Sequence, residues 1–341
     1  VLAEATGSQQ LLKTDLTPLL LIGAEVGIES VRTVATSLAG EIQGCVTARY
    51  GASPTAEACV ASLASALQDL HRQVRPGQQV LGIGIGLPGS IDEAQGIVNF
   101  APHLGWRDVP IAALLSEKLR GTSLADAPLF VQNEADMAAL GELEFNPTPD
   151  SDPLLYVSIN QGIAAGVIVG GRLLTGSRGY AEEVGHMVLQ FNGPLCSCGR
   201  RGCAEAMIAT RAVQRGSAGT AVRHSLGEVR EHLASKDRET LKAVTSAGHH
   251  LGMLLLNLAT AYDPGCIVLG GSVTELGAPF LQPALDVLDA HNTFGSSASP
   301  TVRTSRFGLN AVAIGAAALV RYRLTHPALP SANGGSAVTV S

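Results

Sequence analysis

Apolar and polar positions along this chain fall into short blocks punctuated by glycine. Leu19–Val26, Ser30–Leu38 and Glu41–Tyr50 are runs rich in β-branched residues, separated by Gly27 and by Ala39–Gly40. Runs of this kind with turn residues between them predict a three-stranded antiparallel meander. Ala56–Val74 carries apolar residues at three- and four-residue spacing, the period of a helix. Val80–Gly86 predicts a buried strand that stops at the turn Pro88–Gly89. A helix over Ile111–Leu119, a short strand at Leu129–Val131 and a helix over Glu134–Phe145 follow.

After the polar, proline-containing stretch Asn146–Pro153 the theme returns. Leu154–Ile159, Ile163–Val169 and Arg172–Leu174 predict a second set of short strands. Helices are expected over Leu241–Ala261 and Phe280–Ala290, with a strand at Cys266–Leu269 between them and an Ala-rich helix at Ala311–Tyr322. Residues 1–15 read as polar and irregular, and the small, polar tail from Pro327 as disordered. Two successive units of meandering strands and helices fit a duplicated fold with a cleft between its halves. They equally fit two unrelated α/β domains.

Composition narrows the class. A chain of 341 residues can bury two cores. With 46% hydrophobic and only 15% charged residues, it suits a folded α/β protein and not a disordered one. The formal net charge of -6, with no basic run, disfavours nucleic acid as a direct partner, because phosphate binding depends on basic patches. The apolar stretch Leu19–Ile22 is far too short to span a membrane, and no signal peptide is visible. Because the first residue is Val1, the sequence reads as a fragment or a processed form.

Three of the six cysteines crowd together, as His186 is followed by Cys196-Ser-Cys198-Gly-Arg-Arg-Gly-Cys203. Disulfide-stabilised secreted domains spread their cysteines more evenly, so the crowding points to metal and to a reducing, cytoplasmic compartment. Four such ligands can close a tetrahedral shell, and Gly199 and Gly202 let the loop turn tightly enough to do so. The alternative is a set of free surface thiols, which would oxidise readily. Four protein ligands leave no open position. The expected ion is therefore a structural Zn²⁺ that holds a loop beside a pocket and orients His186.

The stretch Gly185-His186 with Cys196-x-Cys198-Gly-x-x-Gly-Cys203-x-Glu205 closely resembles the signature of the ROK family of sugar kinases and repressors. Gly84-Ile-Gly-Leu-Pro-Gly89, Asn133-Glu-Ala-Asp-Met-Ala-Ala-Leu-Gly-Glu142, Glu183-Val-Gly-His186 and Ile267-Val-Leu-Gly-Gly271 resemble further elements of that family. The resemblance covers roughly residues 19 to 322. It implies a duplicated actin/hexokinase-like (ribonuclease H-like) ATPase fold with a zinc-bearing loop. It also implies a linker at 1–18, a first domain at 19–132 plus 311–325, a second at 133–310 and a tail at 326–341. Dimers or tetramers are implied as well.

In the family, sugar hydroxyls are held by residues that match Asn133, Glu134, Glu183, His186 and Glu205 here. Carboxylates accept hydroxyl hydrogen bonds, and an amide both donates and accepts, so these residue types suit a polyol. His103, in Pro102-His-Leu-Gly-Trp106, stands where the family commonly shows Asn, and its imidazole can still donate to a hydroxyl.

The kinase machinery departs from the family at three places. Where kinases carry Asp-x-Gly-Gly-Thr-Lys, this chain reads Glu25-Val-Gly-Ile28-Glu29-Ser30, with a branched side chain and a negative charge where phosphate would lie. The second phosphate hairpin reads Asn160-Gln161-Gly162-Ile-Ala-Ala-Gly166, without its hydroxyl and with two glycines missing. At the kinase base position stands Glu134, whose extra methylene displaces the carboxylate, and about 1 Å of displacement can cost roughly a hundredfold in rate. These losses predict a sugar-responsive transcriptional regulator without kinase activity. The alternatives are an ATP-dependent, glucokinase-like sugar kinase, or a binding protein with neither activity. Gly7 to Asp15 resembles the end of a winged-helix wing and linker, so DNA binding is expected only through an N-terminal element not present in this chain.

Overall fold

In the computed structural model, which describes residues 2–6, 9–13, 16, 18–51, 55–146, 152–177, 179–181, 183–216, 224–291 and 299–326, the chain opens with an antiparallel hairpin. Its strands are β1 (Leu2–Thr6) and β2 (Gln9–Lys13), paired from Leu2 opposite Lys13 to Thr6 opposite Gln9. This corrects the expectation of irregular backbone over residues 1–15. No alternation of apolar and polar residues marks these strands, and backbone pairing does not require one. The expected tail from Pro327 lies outside the described residues.

The predicted meander forms as β3 (Leu19–Val26), β4 (Ser30–Thr36) and β5 (Ile42–Arg49). Helix α1 (Ala56–Gln73) follows, with the Thr55 side chain accepting from the Ala58 amide as its N-terminal cap. Then come β6 (Gln79–Leu87), a small antiparallel sheet of β7 (Ser90–Asp92), β8 (Ile97–Ala101) and β9 (Trp106–Val109), α2 (Ile111–Leu119), β10 (Leu129–Asn133) and α3 (Glu134–Glu144). The second half holds β11 (Leu154–Ile159), β12 (Ile163–Val169) and β13 (Arg172–Leu173), followed by four helices: α4 (Ala204–Ile208), α5 (Thr210–Gly216), α6 (Leu226–Ala234) and α7 (Arg238–Tyr262). It closes with β14 (Cys266–Gly270), α8 (Ala278–His291), β15 (Thr301–Thr304) and α9 (Ala311–Thr325).

Strand order decides between duplication and two unrelated domains. The first large sheet runs β10-β6-β3-β4-β5, and the second runs β13-β12-β11-β14-β15. In each, the opening strand pairs antiparallel with the second, the second antiparallel with the third, and the opening strand parallel with the fourth; the fourth pairs parallel with the fifth. One topology thus occurs twice, which is the duplicated actin/hexokinase-like fold.

Helices α3 and α9 lie between the two sheets, in a core shared by Leu21, Val34, Tyr156 and Val268. Helix α9 is buried on all sides from Ala311 to Val320, which explains its Ala-rich and barely amphipathic sequence. The backbones approach closely here. A Cβ at Gly23 or Gly84 would fall 1.9 Å from the carbonyl oxygens of Ala313 and Ala316 respectively. No helix among the described residues is long and apolar enough to cross a membrane.

Candidate functional site

A cavity of about 410 Å³ opens where the two halves meet. Many of its walls come from segments at or just beyond strand C-termini: Gly27–Glu29 after β3, Pro88–Gly89 after β6, Pro102–His103 after β8, Asn133–Glu134 at the end of β10, Asn160–Gly162 after β11 and Ser272 after β14. Crevices at the carboxyl ends of strands are the usual ligand sites of α/β sheets. All six residues expected from sequence to meet a sugar line it: His103, Asn133, Glu134, Glu183, His186 and Glu205. So do Ile28 and Glu29, the two substitutions in the first phosphate loop.

Asn133 caps α3. Its Oδ1 accepts from the Ala135 amide at 2.7 Å, and its Nδ2 donates to the Gly89 carbonyl at 3.0 Å. Only the remaining lone pair and hydrogen are left for a ligand. Beside it, burial raises the Glu134 carboxyl to about 7, and the negative charge of Glu25 adds to the rise, while a hydrogen bond with Asn160 opposes it. Burial also raises Glu25, which Arg32 partly offsets at 3.4 Å. Two carboxyls whose charges repel each other therefore line the cleft.

The cysteine loop also borders the cavity, through His186 and Ser197. Ligand atoms of His186, Cys196, Cys198 and Cys203 all lie within 4.8 Å of one another. His186 Nδ1 is 3.6 Å from Cys196 Sγ, and the Cys198 and Cys203 sulfurs are 3.7 Å apart. Tetrahedral coordination with metal–sulfur bonds of about 2.3 Å sets ligand atoms roughly 3.5–3.8 Å apart, so the cluster is shaped to hold a metal ion. Gly199 and Gly202 have φ of 87° and 69°, the left-handed conformation that the tight loop demands. The other ring nitrogen of His186, Nε2, faces Glu183 Oε2 at 3.6 Å. Glu205 follows Cys203 on the first turn of α4, which places its carboxylate against both the loop and the cleft.

Glu25, Asn160, Ser197 and Ser272 are among the lining residues outside the sequence-based set of sugar contacts. Glu25 entered that reading only as the replacement for a kinase aspartate. Asn160 Oδ1 accepts from the Ser272 amide at 2.7 Å and from its hydroxyl at 3.1 Å, which ties the β11–β12 turn to the exit of β14. Ser197 lies between two cysteines and donates to Glu205. The repeated strand–turn pattern could have pointed to Asn160 and Ser272, since each directly follows a strand C-terminus or its glycine turn. Ser197 carried no such signal.

A two-lobed, actin/hexokinase-like protein with a polar interlobe cleft and an adjoining His/Cys cluster that could hold a metal ion is the class that this fold and site define. The ROK family model matches residues 21–323, and the chain belongs to the ROK family. It is 31% identical over 300 residues to the xylose repressor of Bacillus subtilis (strain 168), covering 88% of this chain and 76% of that protein. It is 26% identical over 317 residues to a glucokinase of Halalkalibacterium halodurans, covering 88% and 94%. Among solved structures, a ROK family glucokinase from Streptomyces griseus in complex with glucose and AMPPNP superposes with a TM-score of 0.76 at 26% identity, covering 89% of this chain and 99% of that one. A ROK family transcriptional regulator homologous to the E. coli MLC protein shares the fold, with a TM-score of 0.75 at 22% identity over 92% of this chain and 80% of that one.

Proposed function

We propose that this chain is the sugar-sensing part of a ROK transcriptional regulator, in which an uncharged sugar occupies the interlobe cleft and no phosphoryl transfer takes place. The observation that carries the proposal is the charge of the cavity wall. Glu25, Glu29, Glu134, Glu183 and Glu205 line it, and among the described residues no lysine or arginine does. Phosphoryl transfer depends on cations or backbone cradles around a highly charged phosphate chain. Ile28 occupies the first phosphate loop with its side chain packed onto the first core, so it does not swing aside freely.

Sugar hydroxyls suit the same wall. Glu183 and Glu205 offer carboxylate acceptors, His103 and His186 offer imidazoles, and Asn133 offers one lone pair and one hydrogen. Xylose repressors and glucokinases are among the relatives, so D-xylose and D-glucose are the first ligands to test. Zn²⁺ is the ion we assign to His186, Cys196, Cys198 and Cys203, on the three-sulfur, one-nitrogen donor set. When bound, it supplies a structural pin for the loop and no reactive position. Sugar bound across the two lobes would favour a closed arrangement. DNA contact is assigned to an element outside these residues.

A second reading, an ATP-dependent sugar kinase, is favoured by one feature. A carboxyl raised to about 7 at the kinase base position is well tuned to accept a hydroxyl proton. Incubation of metal-loaded protein with Mg-ATP and a panel of aldoses separates the two. The proposal predicts no sugar phosphate above the uncatalysed background; sustained formation of a sugar phosphate would establish the kinase.

A further inference from the structure

The Glu205 carboxylate is bonded to the cysteine loop through one oxygen and faces the cleft with the other. Its Oε1 accepts a hydrogen bond from Ser197 Oγ at 2.7 Å and lies 3.6 Å from Cys196 Sγ. Its Oε2 faces the β11–β12 turn, where a Cβ on Gly162 would come within 3.0 Å. We propose that Ser197 is a positioning residue whose hydroxyl fixes the Glu205 carboxylate for the sugar and so ties sugar affinity to the metal-bearing loop. The proposal rests on the sugar-binding reading above and assigns a role to a residue outside that set of contacts.

Three observations converge on Ser197. The loop sets the position of its hydroxyl, since the Cys196 amide donates to the Arg200 carbonyl at 2.8 Å and the Gly199 amide to the Cys196 carbonyl at 3.1 Å. Its two neighbours in sequence both belong to the metal-ligating cluster. A thiol is a weak donor, and a sulfur bound to metal has no hydrogen to give, so the Ser197 hydroxyl is the stronger hold on Oε1. Ser197 itself lines the cavity. Its single hydrogen is directed at Glu205, and its oxygen keeps acceptor capacity for a sugar hydroxyl.

The test uses the metal-loaded chain with D-xylose and D-glucose as probes, comparing wild type, Ser197→Ala and Ser197→Thr by calorimetric titration alongside metal content. Ser197→Ala should bind the wild-type sugar about tenfold more weakly, the scale of a lost hydrogen bond to a charged group, with metal content unchanged. Ser197→Thr, which keeps the hydroxyl, should stay near wild type. Undiminished affinity in Ser197→Ala overturns the proposal. So does loss of metal in parallel with affinity, which would make Ser197 a builder of the metal site. Equal weakening in Ser197→Thr with metal intact would assign the effect to side-chain shape and likewise overturn it. Wild-type protein that binds neither sugar defeats the sugar-binding reading, and this inference with it.

Discussion

His186 and Glu183 face each other across a single turn, with Nε2 3.6 Å from Oε2, while the other nitrogen of the same ring points to Cys196. One imidazole thus joins the His/Cys cluster, which could hold a metal ion, to the wall of the cleft. A histidine that ligates metal through one nitrogen commonly presents the other to a carboxylate, which fixes its tautomer and orientation.

Cys198→Ser should therefore lose the metal and weaken sugar binding together, by about tenfold, the scale of one hydrogen bond to a charged group. Metal analysis and calorimetry on the same preparation check this. Unchanged sugar affinity in a metal-free variant would mean that the two sites are independent.

Glu134 makes stability depend on pH. Its folded-state value of about 7 lies above the ordinary 4.5, so between those values the folded protein binds more protons than the unfolded chain. Stability is then lost as pH rises through that window. The groups facing this carboxyl are Glu25, itself beside Arg32, and Asn160. Relative to Glu134→Gln, wild type should lose a few kcal/mol between about pH 4.5 and pH 8. Denaturant titrations at both ends measure it, and parallel pH slopes for the two proteins would refute it.

Two glycines in one hairpin should behave differently. A Cβ at Gly166 would lie 2.4 Å from the Ala135 carbonyl oxygen, so Gly166→Ala should destabilise the fold by about 1–3 kcal/mol. At Gly162 the nearest atoms are side-chain atoms of Glu205 and His103, at 3.0 and 3.4 Å. Gly162→Ala should lower sugar affinity while the unfolding midpoint barely moves. Equal loss of stability at both positions would count against a ligand-facing role for Gly162.

Glu142 is fully buried and accepts from Arg303 at 2.8 Å, Ser305 at 2.7 Å and Arg306 at 3.1 Å. These bonds join α3, whose first turn carries Glu134, to β15 and the residues just after it. Breaking a buried ion pair typically costs about 3–5 kcal/mol. Glu142→Ala should lie at the lower end, because both arginines keep some contact with solvent. Chemical denaturation reads the difference directly, and a change below about 1 kcal/mol would show that the cluster is replaceable.

Much of this architecture was legible in the chain. The strands Leu154–Ile159 and Ile163–Val169 and the helix Ile111–Leu119 match their hydrophobic patterns residue for residue. The small sheet β7–β9 was not legible, because strands of three to five residues around Gly89, Gly96 and Gly105 give periodicity too little length to register. Helix α4 is only five residues long and starts directly after Cys203, so the cysteine motif masked it. At the site, residue types announced the carboxylates but not their partners. That Asn133 is half-consumed as a helix cap, or that Ser197 reaches Glu205, depends on side-chain geometry that spacing does not encode.

The claim that everything else depends on is that the cleft accepts an uncharged sugar and refuses a nucleotide. Paired calorimetric titrations of the metal-loaded protein, one with D-xylose or D-glucose and one with Mg-AMPPNP, address it most directly. Saturable, one-site binding of a sugar is expected, with no saturable heat from the nucleotide. Saturable nucleotide binding that persists in the presence of the sugar would contradict it.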